Sequence, residues 1–285
     1  METRWQAVEL VTVTADDGTV LHGALFEPEA KQRGTPALLL TGGTGAEFYS
    51  GFLPRLAAHL AEAGYPVLVF NRRDHGAEFG FHGFREAVDD LALGVEALAE
   101  RGVDQVVLAG HSYGTLCAAH YAVRHRDPRV VGEIWYAPLR DLREATVRVL
   151  GSLERYREWC RQAEAAVARG QGEALVVLPA ISPFGRPLLH QQAVFLDKRG
   201  PGTAAVMPGH TDTLGGLPVL VVRHGDDFAE GALLPGELAG SVTYHLLPPA
   251  HPRLPPAVAH GFLGLEREVA RITVGWLKDR GARAV

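Results

Sequence analysis

Val106-Val107-Leu108-Ala109-Gly110-His111-Ser112-Tyr113-Gly114 is a short, unbroken apolar run that ends in Gly-x-Ser-x-Gly. A run of this length with no polar alternation reads as a strand covered on both faces. The following Thr115 to Val123 is helix-compatible, so Ser112 falls on a sharp strand-to-helix turn. Glycines two positions either side of such a serine relieve crowding and leave its hydroxyl exposed. The helix that follows turns the positive end of its dipole toward any negative charge developing there. Ser112 is the candidate nucleophile.

Outward from this stretch, apolar runs alternate with amphipathic ones. Ala37 to Leu40, Pro66 to Phe70, Gln105 to Ala109, Val130 to Tyr136 and Pro218 to Val222 read as buried strands. Between them, Phe52, Leu56 and Leu60, and then Val88, Leu91, Val95 and Leu98, recur at helical spacing. Leu265, Val269, Ile272 and Trp276 announce a last helix, with Gly281 just past its end. Strand and helix patterns in alternation predict an α/β fold around a parallel sheet. Ahead of it, Val8 to Thr14 and Val20 to Phe26 flank Ala15-Asp16-Asp17-Gly18, the signature of a β-hairpin. Arg140 to about Gly215 is far longer than a crossover needs and predicts an insertion. Its first part, Asp141 to Arg169, has helical periodicity, whereas Pro179 to Pro208 is broken by Pro and Gly.

Bulk properties narrow the classes. With 285 residues, 47% hydrophobic and 21% charged, the chain has the balance of a globular protein able to bury a sizeable core. A net charge of −5 offers no basic footprint for nucleic acid and no polybasic stripe for a membrane surface. METRWQAVEL lacks the apolar core of a signal peptide, and no run of about 18 apolar residues occurs. A cytoplasmic protein acting on a small molecule is expected, with neither nucleic acid nor membrane as partner; oligomeric state is not legible. Cys117 and Cys160 lack metal-ligand spacing and read as reduced, structural thiols. His75 and His82 lack the rest of a ligand set, so neither metal nor cofactor is expected.

The pentapeptide Gly-His-Ser-Tyr-Gly, with the order of the apolar runs, resembles the α/β-hydrolase family over nearly the whole chain. That resemblance implies a mostly parallel eight-stranded sheet flanked by helices, with a helical cap inserted after the sixth strand. Residues 1–139 and 216–285 would form the core domain and 140–215 the cap. Leu38-Leu39-Leu40-Thr41-Gly42-Gly43-Thr44-Gly45 looks like the family's His-Gly-x-x-Gly loop, with Thr41 where the His usually stands. It lacks the Gly-Lys-Ser/Thr of a phosphate-binding loop. The backbone N–H groups of Gly43 and Tyr113 would then form the oxyanion hole.

Family order places the acid after the seventh strand, in Leu220-Val221-Val222-Arg223-His224-Gly225-Asp226-Asp227-Phe228. The usual spacing falls on Phe228, so the turn is one residue short. Asp227 is the expected acid, and Asp226 the competing carboxylate expected to serve its own turn. His260, in Ala259-His260-Gly261-Phe262 ahead of the last helix, resembles the family's catalytic histidine more than His245 or His251 does. Asn71-Arg72-Arg73-Asp74-His75-Gly76 looks like the family's Asp-x-Arg-Gly-His-Gly turn, to which a structural role is assigned.

Together these features imply hydrolysis of a carboxylic ester through an acyl group on Ser112, with His260 as general base. Thioester, lactone or activated amide cleavage uses the same parts, as does an acyltransferase or cyclase. A binding protein that has lost turnover is the alternative from another class, motivated by the short acid turn and the absent loop His. Substrate choice is expected in the cap, where Tyr156, Trp159, Phe184 and Phe195 either line a pocket or form the cap's own core.

Overall fold

The computed structural model describes residues 7–30, 34–178, 188–208, 216–227 and 242–281. In chain order the elements are β1 (Glu9–Thr14), β2 (Val20–Phe26), β3 (Ala37–Thr41), α1 (Leu53–Glu62), β4 (Val67–Phe70), α2 (Phe84–Asp89), α3 (Leu91–Ala99), β5 (Val106–His111), α4 (Tyr113–His125), β6 (Val130–Tyr136), α5 (Leu142–Leu150), α6 (Leu153–Ala168), β7 (Leu175–Leu178), β8 (Leu188–Gln191), α7 (Gln192–Arg199), β9 (Val219–His224), β10 (Val242–Leu247), α8 (Pro256–His260) and α9 (Glu266–Gly281). Eight strands form one sheet in the order β1-β2-β4-β3-β5-β6-β9-β10. β2 pairs antiparallel with β1 and β4, and every pair from β4 to β10 is parallel.

The unbroken apolar runs have a direct structural cause. Successive residues of a strand face opposite sides of its sheet, and here both sides are covered. Val106 and Leu108 of β5 join a core with Leu91, Leu98 and Leu116 of α3 and α4, while Val107 and Ala109 join one with Leu56 of α1 and Val269 of α9. Gly18, at φ +86°, makes the turn between β1 and β2. The helical pattern from Val88 to Leu98 is divided at Asp90, whose carboxylate accepts from the Arg73 backbone N–H at 2.7 Å and from its guanidinium.

β3 is followed in sequence by β4 on one side and in space by β5 on the other. The chain therefore leaves the carboxyl ends of β3 and β5 in opposite directions, opening the crevice in which α/β sheets place their ligands. The loops carrying Gly43 and Ser112 both start there.

The long interruption between β6 and β9 holds α5, α6, the antiparallel pair β7 and β8, and α7. Asp141 caps α5 by accepting the Glu144 N–H, and Gly151, at φ +63°, ends it. Tyr156, Cys160, Ala163, Leu178 and Phe195 form a small core of this segment's own. Leu142, Ala205 and Met207, by contrast, are buried in the main core.

Candidate active site

Ser112 occupies φ +54°, ψ −122° between β5 and α4. Such a conformation costs a non-glycine residue about 1–3 kcal/mol and persists only where its surroundings over-determine it. Here those surroundings are visible: Ser112 N–H donates to the Tyr136 carbonyl at 2.9 Å, and its own carbonyl accepts from Thr115 N–H at 3.0 Å and Thr115 Oγ1 at 2.6 Å. The flanking glycines are steric necessities. A Cβ on Gly110 would lie 2.4 Å from the Gly114 carbonyl oxygen, and one on Gly114 would lie 2.6 Å from the carbonyl oxygens of Thr41 and Gly42.

His260 ends the short α8 and points its ring at this turn. Its Nε2 is 2.8 Å from Ser112 Oγ, and its Nδ1 is 2.9 Å from Asp227 Oδ1. Since a carboxylate only accepts, Nδ1 carries the proton and Nε2 is left to accept from the serine. Ser112, Asp227 and His260 are buried, with exposures of 7%, 2% and 1%. His245 lies on β10, and His251 in the exposed loop before α8.

Asp226 goes elsewhere. Its Oδ2 accepts from the backbone N–H groups of Ala250 and Leu254 at 2.9 and 3.1 Å, tying the loop before α8 to the end of β9. Phe228, where the usual spacing would place the acid, lies outside the described residues.

Gly43 packs directly on the nucleophile: a Cβ there would come within 2.9 Å of Ser112 Cβ. Tyr113 is the first residue of α4, so its amide is one of the first-turn donors that have no acceptor within the helix. The Thr41 hydroxyl donates to the Phe70 carbonyl at 3.3 Å and accepts from Arg72, bracing the loop from the position of the family's usual histidine.

One residue at the site escaped the sequence reading. His111, preceding the nucleophile, donates its Nε2–H to the His260 backbone carbonyl at 2.8 Å. Burial, with the neighbouring His260 ring, pushes the His111 imidazole down to about 4, so it is neutral at pH 7. The signal was its place in the pentapeptide, but its partner lies 149 residues further along the chain.

A cavity of about 550 Å³ adjoins these groups, walled by Phe52, Leu53, Phe79, Leu188, Leu189 and Leu263, with Glu47, Ser50 and His111 as polar lining. Tyr156 and Trp159, the expected substrate contacts, are not among its lining residues. Tyr156 is 3% exposed and donates its hydroxyl to the Arg199 carbonyl at 2.8 Å, and Trp159 packs edge-on to Phe195. Both serve the insertion's own core, because their helix presents that face to α7. Leu188 and Leu189 of β8 supply the insertion's wall instead. Phe184 lies outside the described residues.

Cys117 and Cys160 are buried free thiols. His75 Nδ1 is 2.9 Å from the Arg72 carbonyl, and His82 faces Glu78. Among the described residues no cluster of three His, Cys, Asp or Glu side chains is arranged around a metal-sized space, and no helix is long and apolar enough to cross a membrane.

Comparison with known proteins agrees with the fold. The family model for S33 serine aminopeptidases, a group of α/β hydrolases, matches residues 34–169. An uncharacterized abhydrolase domain-containing protein of Dictyostelium discoideum is 28% identical over 93 residues, which is 32% of this chain and 10% of that relative's length. A monoglyceride lipase from Saccharomyces cerevisiae superposes with a TM-score of 0.65 at 17% identity, covering 98% of this chain and 97% of that one. A thermostable carboxyl esterase from Bacillus coagulans superposes with a TM-score of 0.63 at 13% identity, covering 96% and 99%. With its eight-stranded, mostly parallel sheet and flanking helices, the chain has the α/β-hydrolase fold, and the part of it from residue 34 to 169 is similar to that family model.

Proposed function

We propose that the chain is a serine hydrolase that cleaves a carboxylic ester of a small molecule through an acyl group on Ser112. The observation that carries this reading is the hydrogen-bonded series from Ser112 Oγ through the His260 ring to Asp227, set on a strained turn against Gly43. In this reading Ser112 Oγ attacks the ester carbonyl carbon while His260 Nε2 takes its proton. Asp227 holds the imidazolium through Nδ1–H, and the N–H groups of Gly43 and Tyr113 stabilise the oxyanion. His260 then returns the proton to the departing alkoxide, and a water repeats the sequence to release the acid.

The apolar walls from Phe52, Leu53, Leu188, Leu189 and Leu263 favour an aliphatic or aromatic acyl group. Residues 140–215 act here as a cap, with β8 closing one side of the cavity. Two structural neighbours whose names describe ester hydrolases support the ester class. One feature favours a second reading, removal of an N-terminal residue from a small peptide. Glu47 places a carboxylate on the cavity, where it can accept an ammonium group.

Initial rates on p-nitrophenyl esters of increasing acyl length, run beside amino-acyl p-nitroanilides, test both. Ester cleavage rising from acetyl to medium-chain acyl groups is expected. Anilide cleavage without ester cleavage would replace the first reading with the second, and inertness toward both would sink the hydrolase assignment.

A further inference from the structure

The turn after β4 and the insertion's α7 together bury three charges. Arg72, Asp74 and Lys198 are 3%, 0% and 0% exposed. Asp74 Oδ1 accepts from Arg72 Nε at 3.0 Å, and its Oδ2 accepts from Lys198 Nζ at 2.7 Å. Lys198 also donates to the Phe79 carbonyl at 2.7 Å, and its ammonium stands 3.9 Å from the centre of the Phe79 ring. Burial alone would raise the Asp74 carboxyl; Arg72 and Lys198 outweigh it and hold the group at about 2. A charge withdrawn from water is strongly unfavourable unless paired and hydrogen-bonded, so each member of this cluster holds the others in place.

The free end of Arg72 reaches the loop beside the nucleophile. Its Nη1 donates to the Gly42 carbonyl at 3.0 Å and to the Thr41 hydroxyl. The Gly42 carbonyl and the Gly43 N–H belong to one peptide unit, which is planar and trans, so fixing the direction of one fixes the other. α7 is itself anchored, because the Asp197 carboxylate accepts the Phe84 N–H at the start of α2 at 2.6 Å. A Cβ on Gly80 would lie 1.8 Å from the Leu189 carbonyl oxygen, so β8 is seated with no room to spare.

We propose that Lys198 is a positioning residue for the oxyanion hole. By completing the Asp74 carboxylate's partners it locks Arg72 against the Gly42 carbonyl, and the planar peptide then aims the Gly43 N–H at the substrate oxygen. The insertion is thereby part of the catalytic scaffold as well as a wall of the cavity. This inference rests on the serine-hydrolase reading above, in which Gly43 donates to the oxyanion.

The test is Lys198→Met, which keeps the length and removes the charge, beside Lys198→Gln, which keeps an amide donor. Both are assayed on the best p-nitrophenyl ester, with kcat expressed per serine that a fluorophosphonate probe labels. Losing an oxyanion donor outright costs about 100-fold to 1000-fold in kcat. A misaimed donor is expected to cost about tenfold or more in K198M, with KM changed by less than about twofold, the labelling rate falling in parallel, and K198Q losing less. Wild-type kcat per labelled serine in K198M, or a change in KM alone, would overturn the proposal. Insolubility of both variants would assign Lys198 to folding and overturn a positioning role. A wild-type protein that neither labels nor hydrolyses would instead remove the hydrolase reading on which the inference stands.

Discussion

Asp226 and Asp227 are neighbours in the chain and hold different partners: Asp227 Oδ1 is 2.9 Å from His260 Nδ1, while Asp226 Oδ2 accepts the amides of Ala250 and Leu254. The turn is closed by the Asp227 N–H donating to the His224 carbonyl at 3.1 Å, and it presents one carboxylate to the histidine and the other to the backbone of the next loop. The loop that Asp226 ties down leads directly into α8, which carries His260.

This division of labour separates two substitutions. Asp227→Asn is expected to lower kcat by about a hundredfold or more with little change in melting temperature, because the amide can present its NH₂ to Nδ1 and favour the wrong tautomer. Asp226→Asn is expected to cost less than about tenfold in kcat and to lower the melting temperature, since the amide accepts the two N–H groups less strongly than a carboxylate. Steady-state kinetics and thermal melts of the two variants check this. The reverse ranking would move the acid to Asp226.

His111 gives the fold an acid limit. Its folded-state value of about 4 lies below that of an exposed imidazole, near 6.5. The unfolded chain therefore binds a proton between these values that the folded chain refuses. The stability that the neutral ring contributes is complete above about pH 6.5 and is lost as pH falls to about 4, a change of about 3 kcal/mol. His111→Gln keeps an N–H donor for the His260 carbonyl and removes the titration. Urea unfolding between pH 4 and 7 is expected to show a shallower acid loss in H111Q than in wild type; superimposable pH profiles would contradict this.

Glu133 works in the opposite sense. It is fully buried on β6, accepts the Trp135 indole N–H through one oxygen, and has no hydrogen-bond partner for the other among the described residues. Burial pushes its carboxyl up to about 8. The unfolded chain releases this proton near pH 4.5, so stability is complete below that value and is lost as pH rises to about 8, by roughly 4–5 kcal/mol. Glu133→Gln is expected to raise the melting temperature at pH 8 and to change it little at pH 4.5. A melting temperature at pH 8 equal to or below that of wild type would contradict the account.

Much of this was legible in the chain because it was written locally. Gly110 and Gly114 mark the elbow, since no side chain fits at either position. The runs in β3, β5 and β6 lack alternation because helices cover both faces. β10, by contrast, carries no such mark: Val242–Leu247 is an edge strand with several exposed residues, and its sequence has no strong apolar period. β7 and β8 have four residues each and α7 has eight, too few for a period to announce them. The periodicity of α6 announced a buried face but not what it packs on, which is why Tyr156 and Trp159 read equally as pocket or core. The bonds from His111 to His260 and from Lys198 to Asp74 span 149 and 124 residues, and no local pattern encodes them.

The most direct measurement is the site of covalent modification by a fluorophosphonate probe, read by mass spectrometry of the digested protein beside a Ser112→Ala variant with an unchanged melting temperature. A serine whose proton is drawn by His260 and whose oxyanion is met by two amides reacts with such a probe, and an ordinary serine does not. A single adduct on Ser112 is expected in the wild type, with no labelling and no ester hydrolysis in S112A. Labelling retained in the folded S112A variant, or an adduct mapped to another residue, would contradict this.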